Sequence, residues 1–208
     1  MLTGVSRFAI ANIFSGLNNL IDISQNRNYS TIVGYTQEEL EKYFPAYLNK
    51  LGEKFQLSQA ELLTSIKEWY SGFSFDGISR LYSPFSVLKL FTEFEFRNYW
   101  FSTGTPTFLI DLIKKQKQPP EEFLNKKFNN LLGSTQYIEK LSLIPLLYQT
   151  GYLTIEKIGR DGLRPYYFLN YPNKEVQYSY LNHIVPLLSD KMEVSKLQAN
   201  STPKFTKH

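Results

Sequence analysis

Residues 137–171, YIEKLSLIPLLYQTGYLTIEKIGRDGLRPYYFLNY, carry the clearest sign of how this chain folds. The stretch from Tyr137 to Thr150 is apolar at helical spacing, and Gly151 follows it as a stop signal. YLTIEKI then alternates apolar and polar residues as a strand does, Gly159-Arg160-Asp161-Gly162 reads as a turn, and LRPYYFLNY returns as the partner strand. Helix, glycine, hairpin is the order of a winged helix, which places residues 159–163 at the tip of the wing. A further amphipathic helix, KEVQYSYLNHIVPLL, is expected next. The tail over residues 189–208 has too few apolar residues to pack and is expected to stay disordered.

Upstream the signals are helical. Thr36-Gln37-Glu38-Glu39 and Ser58-Gln59-Ala60-Glu61 are capping boxes, so helices should start at Gln37 and Gln59. Pro45 interrupts the first, and PAYLNKLGEKF continues as a second helix. Leu57 and Leu62 are spaced for a hydrophobic staple, and Leu62, Leu63, Ile66, Trp69 and Tyr70 form one buried face ended by Gly72. Ser83-Pro84 and Thr105-Pro106 each place a capping side chain before a proline at the first helical position. PEEFLNKKF reads as one more helix after Pro119. Before residue 35, an Asn-rich connector ends in a short β-branched run and Gly34.

Composition limits what such a chain can do. It has 208 residues, 42% of them hydrophobic and 20% charged, enough for one substantial core or two small ones. Without Cys there is neither a disulfide framework nor a thiolate metal site, which fits a cytoplasmic protein. Arg7 and Asn12 interrupt the first apolar stretch, so no signal peptide is expected, and no apolar run nears the roughly 20 residues that span a bilayer. The net charge of +4 is spread along the chain, so no charge tract marks a partner.

Motifs for chemistry are scarce. No Gly precedes a Lys, so the G-x-x-x-x-G-K-[ST] phosphate loop does not occur in these residues. No Glu-x-Lys triplet is present for a PD-(D/E)XK nuclease. The two His, at 183 and 208, are too few for a His-rich zinc site, so no metal is expected. Phe108-Leu109-Ile110-Asp111 superficially resembles a Walker B strand end, but its capped start and the following Leu-Ile-Lys-Lys favour a helix. No G-x-S-x-G elbow accompanies the serines. Aromatic and glycine clusters remain at Trp69–Phe75, Leu81–Ser86 and Asn98–Pro106. They suit packing between helices, or a ligand face where a ring and helix N–H groups meet an anion. On the hairpin, Lys157, Arg160 and Arg164 are either solvated charge or contacts to phosphates of DNA; the same region would otherwise take a protein partner.

Taken in order, TGVSRF, IFSGLNNL, GYTQEELEKYF, KEWYSGFSFDG, LYSPFSVL, YWFSTGTPTFL, YQTGYLTI and NYPNKEV resemble the later part of the bacterial AAA-ATPase-like proteins, over residues 2–188. Those proteins usually join a P-loop ATPase module to a PD-(D/E)XK nuclease-like domain. The resemblance implies a mainly α chain with a β-hairpin: a helical lid and winged-helix-like region of a truncated α/β P-loop ATPase. By this division residues 1–34 are a remnant of the ATPase core, 35–133 the lid and 134–188 the winged-helix-like region. It further implies that Thr3, Ser6 and Arg7 lie on the sensor strand, whose polar tip touches the γ-phosphate or the attacking water. Thr3 would be the sensor hydroxyl, and Arg7 either a phosphate partner or the partner of an acidic neighbour. ATP and Mg serve the full-length family. With neither P-loop nor magnesium ligands in these residues, the expectation is no ATP binding and no hydrolysis by this chain without its missing core.

Overall fold

The computed structural model describes residues 21, 23–100, 124, 126–129 and 143–184. Thr3, Ser6 and Arg7, the Thr105-Pro106 helix, the FLID segment and the polar tail lie outside the described residues.

Local signals set the first helices. α1 (Gln37–Tyr43) and α3 (Gln59–Tyr70) both begin with complete capping boxes: Thr36 and Ser58 accept from the N–H groups of Glu39 and Glu61, whose carboxylates bond back to the cap backbone. α2 (Pro45–Phe55) starts at its proline and ends at Gln56 in the left-handed conformation, with φ at 55°. α4 (Pro84–Glu93) follows the Ser83 cap. These helices bury Leu40, Leu51, Ile66, Tyr70, Val87 and Leu90 in one core. Leu57 packs on the same cluster as Leu62, where the staple spacing puts them. Trp69, Tyr70, Tyr82 and Tyr99 are all core residues, so these aromatics pack between elements.

Between α3 and α4 the chain forms a small antiparallel sheet, β1 (Ser71–Phe73) with β2 (Leu81–Tyr82), and Tyr35 bridges to Tyr82. Here Gly72 departs from the expected helix stop. The helix ends at Tyr70, Ser71 is already extended, and Gly72 has φ at 118° within the strand. A Cβ there would lie 1.8 Å from the Pro172 carbonyl oxygen, so glycine is required by the close approach of two backbones.

The second core belongs to the C-terminal half. α5 (Leu143–Gln149) is followed by Gly151 at φ 82°, then by β4 (Thr154–Asp161) and β5 (Arg164–Asn170). A short β3 (Lys127–Phe128) pairs with the free edge of β5, making a three-stranded antiparallel sheet in the order β3-β5-β4. The expected PEEFLNKKF helix is thus corrected at its end: Lys127 and Phe128 are strand, because β5 offers backbone partners that local propensity does not see. The hairpin is also longer than its sequence suggests. Asp161 pairs with Arg164, leaving Gly162-Leu163 as a two-residue turn, and Gly159 and Arg160 sit inside β4 opposite Tyr166 and Pro165.

After the hairpin, Asn173 caps α6 (Lys174–Ser179), which widens into a π turn over Tyr180–Ile184 that contains the His183 backbone. Leu146, Leu147, Tyr152, Ile155, Leu169, Val176 and Tyr180 form the core under the sheet. The two halves are joined by specific bonds. Ser74 N–H donates to Thr154 Oγ1 at 2.7 Å, and Lys174 pairs with Glu68 at 2.6 Å.

Candidate nucleic-acid interface

A bulge shapes the hairpin. Ile155 pairs with Leu169 but Lys157 with Phe168, so Glu156 is the extra residue. Its position is held from the other half of the molecule: Arg80 donates from Nη1 to the Ile155 carbonyl and from Nη2 to the Glu156 carbonyl, both at 2.7 Å. The planar guanidinium fork suits two adjacent acceptors. The turn that aims Arg80 is itself tied by Asp76, whose Oδ1 accepts from the N–H groups of Ile78 and Ser79 at 2.8 Å each. Partial burial pushes the Asp76 carboxyl up, but those N–H groups and the Ser79 and Ser30 hydroxyls outweigh it and bring it down to about 2.

Beyond the bulge the sheet has two distinct faces. Phe128, Tyr167 and Ile158 form one row across β3, β5 and β4 and pack on the core. The neighbouring row, Lys127, Phe168 and Lys157, therefore faces outward, as side chains alternate along a strand. Tyr166 and Arg164 share that outer face. The distal part of the Tyr166 ring lies over Gly159, where a Cβ would come within 2.2 Å of it. Tyr166 meets Phe168 edge to face at 5.7 Å between ring centres, and the Lys127 ammonium sits 4.5 Å from the Tyr166 ring centre.

The three hairpin cations named from sequence are all exposed, but they do not form one group. Lys157 and Arg164 lie on the outer face, while Arg160, paired with Pro165, has the opposite parity. Among the described residues none of the three is ion-paired to a carboxylate. Sequence reasoning missed Lys127, Tyr166 and Phe168. The run Tyr166-Tyr167-Phe168-Leu169 is apolar without alternation and so did not mark which rings face outward, and nothing local could bring Lys127 beside them.

A second polar centre is buried. Glu175 in the first turn of α6 accepts the Tyr99 N–H at 2.7 Å and the Trp100 N–H at 2.8 Å, both on Oε1. Burial pushes its carboxyl up to about 7, against the pull of the Trp100 N–H, the Ser86 hydroxyl and the Tyr99 N–H. Oε2 has no hydrogen-bond partner, because Ser86, though close enough to favour the charge, directs its hydroxyl to Ser83 Oγ at 3.2 Å. This centre joins α6 to the segment after α4 and is closed to solvent. Among the described residues no group of His, Asp and Glu is arranged to hold a metal ion, and no helix is long and apolar enough to cross a membrane.

Fold and surface together define a helical protein carrying a β-hairpin whose outer face sets exposed cations around two half-buried rings. No protein-family model matches the chain, and no solved structure matches it. Among curated proteins, it is 40% identical over 179 residues to an uncharacterized protein encoded in the vnfD 5' region of Azotobacter chroococcum mcd 1. The alignment covers 86% of this chain and 33% of that protein, so the chain spans about a third of its relative's length.

Proposed function

We propose that these residues are the helical lid and winged-helix-like region of an AAA-ATPase-like cytoplasmic protein, working with a P-loop core that lies outside them. The ordered motifs from TGVSRF to NYPNKEV carry this reading. It is supported by the order helix, glycine and hairpin over residues 143–170 and by the third strand that makes the hairpin a small three-stranded sheet. In this reading Thr3 at the end of a sensor strand faces the γ-phosphate, with Ser6 and Arg7 beside it. ATP and Mg are bound by the core, since the 208 residues contain no phosphate loop. Calorimetric titration of the chain with ATP and magnesium is expected to give no heat, and micromolar binding would overturn the division of labour. Assembled with a P-loop core, the chain should support ATP hydrolysis that Thr3→Ala lowers by 100-fold or more. An unchanged rate would remove Thr3 from the sensor role.

A second reading is favoured by the exposed, unpaired cations of the hairpin: the region acts without catalysis, binding DNA through Lys157, Arg160 and Arg164. Phosphate contacts of this kind make binding salt-dependent. A gel shift at low salt that is lost on replacing all three by Ala supports it, and no shift at low salt rejects it. A protein partner at the hairpin is the remaining outcome of that test.

A further inference from the structure

We infer that the outer face of the three-stranded sheet, rather than the hairpin tip, is a binding surface for single-stranded nucleic acid. The inference rests on the second reading only in taking a nucleic acid as the ligand; it differs in the form of that ligand and in the residues that hold it.

Phe168 is the centre of the surface. Its partners on both sides are lysines, Lys127 on β3 and Lys157 on β4, so a ring at mid-sheet is flanked by a cation on each neighbouring strand. One step toward the turn, Tyr166 spreads across the vacant position of Gly159, which provides space for the ring to lie along the sheet. Arg164 continues the row toward the tip. Rings in the middle with cations around them match a strand whose bases are free to stack and whose phosphates run beside them.

In duplex DNA the bases are stacked on one another, so two rings on a sheet have nothing to stack on. Tyr166 and Phe168 are half-buried but lie outside the core, which the inward row Phe128, Tyr167 and Ile158 packs against, so part of each ring stays open on the outer face. The Lys127 ammonium near the Tyr166 ring is an exposed cation–π contact, weak enough for a base to replace while the lysine turns to a phosphate. Two acids lie at the margins of this surface, Glu156 in the bulge and Asp161 opposite Arg164. They oppose a polyanion, and their removal should strengthen binding.

The test is fluorescence anisotropy of the intact chain with a labelled 12-mer of thymidine and with a labelled duplex of equal length, between 50 and 200 mM salt. The single strand is expected to bind more tightly than the duplex. Tyr166→Leu and Phe168→Leu should each weaken it about 10-fold, while Tyr166→Phe, which keeps the ring, should not. Lys157→Ala with Arg164→Ala should lower the salt slope by about two, Arg160→Ala should leave binding unchanged, and Glu156→Gln with Asp161→Asn should tighten it. Melting temperatures near that of the unaltered chain exclude misfolding as the cause. Single-strand binding indifferent to the rings overturns the inference. Tighter duplex binding that needs Arg160 overturns it too, while leaving the second reading intact, and no binding to either oligonucleotide rejects both.

Discussion

The Glu175 carboxylate accepts the backbone N–H of Trp100 at 2.8 Å, tying the first turn of α6 to the chain leaving α4. Through the same oxygen it holds the Tyr99 N–H, and Trp100 in turn meets Tyr152 edge to face at 4.7 Å. A single buried acid thus connects the helical core to the core beneath the sheet.

That acid should make stability depend on pH in an unusual direction. Its carboxyl is raised from 4.5 to about 7 in the folded chain, so between these values the native state holds a proton that the unfolded state has released. Stability from this group therefore falls as pH rises from about 4.5 to 7 and is level above, a loss on the order of 3 kcal/mol. Glu175→Gln keeps an acceptor for both N–H groups without the charge. Its melting temperature relative to the unaltered chain should be higher at pH 8 than at pH 5, and a constant difference would refute the raised carboxyl. Asp76, brought down to about 2, contributes stability that is lost only as pH falls from 3.8 toward 2, below this window.

Gly72→Ala places a Cβ against the Pro172 carbonyl oxygen at a positive φ of 118°. Strain and overpacking together should cost about 2–4 kcal/mol, read as a lower urea midpoint. A cost under about 0.5 kcal/mol would mean that β1 and the turn before α6 separate freely.

Arg80→Met removes two charge-assisted bonds to the bulge carbonyls of Ile155 and Glu156. The expected loss is about 2 kcal/mol, with faster amide exchange along β4. Arg80→Lys should restore less than half, since one ammonium does not reproduce the fork. Full rescue by Lys would show that charge alone matters there.

Gln56 ends α2 at φ 55° and is exposed, so its left-handed conformation is relieved by glycine at no loss of packing. Gln56→Gly should add about 1 kcal/mol. In a chain of this size that is a rise of roughly 2–4 °C in Tm, measurable by differential scanning calorimetry.

The helix starts were legible because the signals are local: Thr36 with Glu39, and Ser58 with Glu61, each complete a cap within four residues. The hairpin was legible in kind but not in register. Gly159 reads as a turn residue until Tyr166 is seen to occupy the space its side chain would need. Gly72 was misread for a similar reason, as its neighbour Pro172 is a hundred residues away in the chain.

What the amino-acid sequence determines by itself is the succession of helices, glycine and hairpin, since caps, prolines and apolar spacing act within a few residues. Only the tertiary structure decides that Lys127 is a strand residue beside Phe168, that Arg160 lies apart from Lys157 and Arg164, and that Glu175 is buried against Tyr99 and Trp100. Each of these depends on backbone groups far apart in sequence meeting at hydrogen-bond distance, and no local pattern records which distant partner will be there.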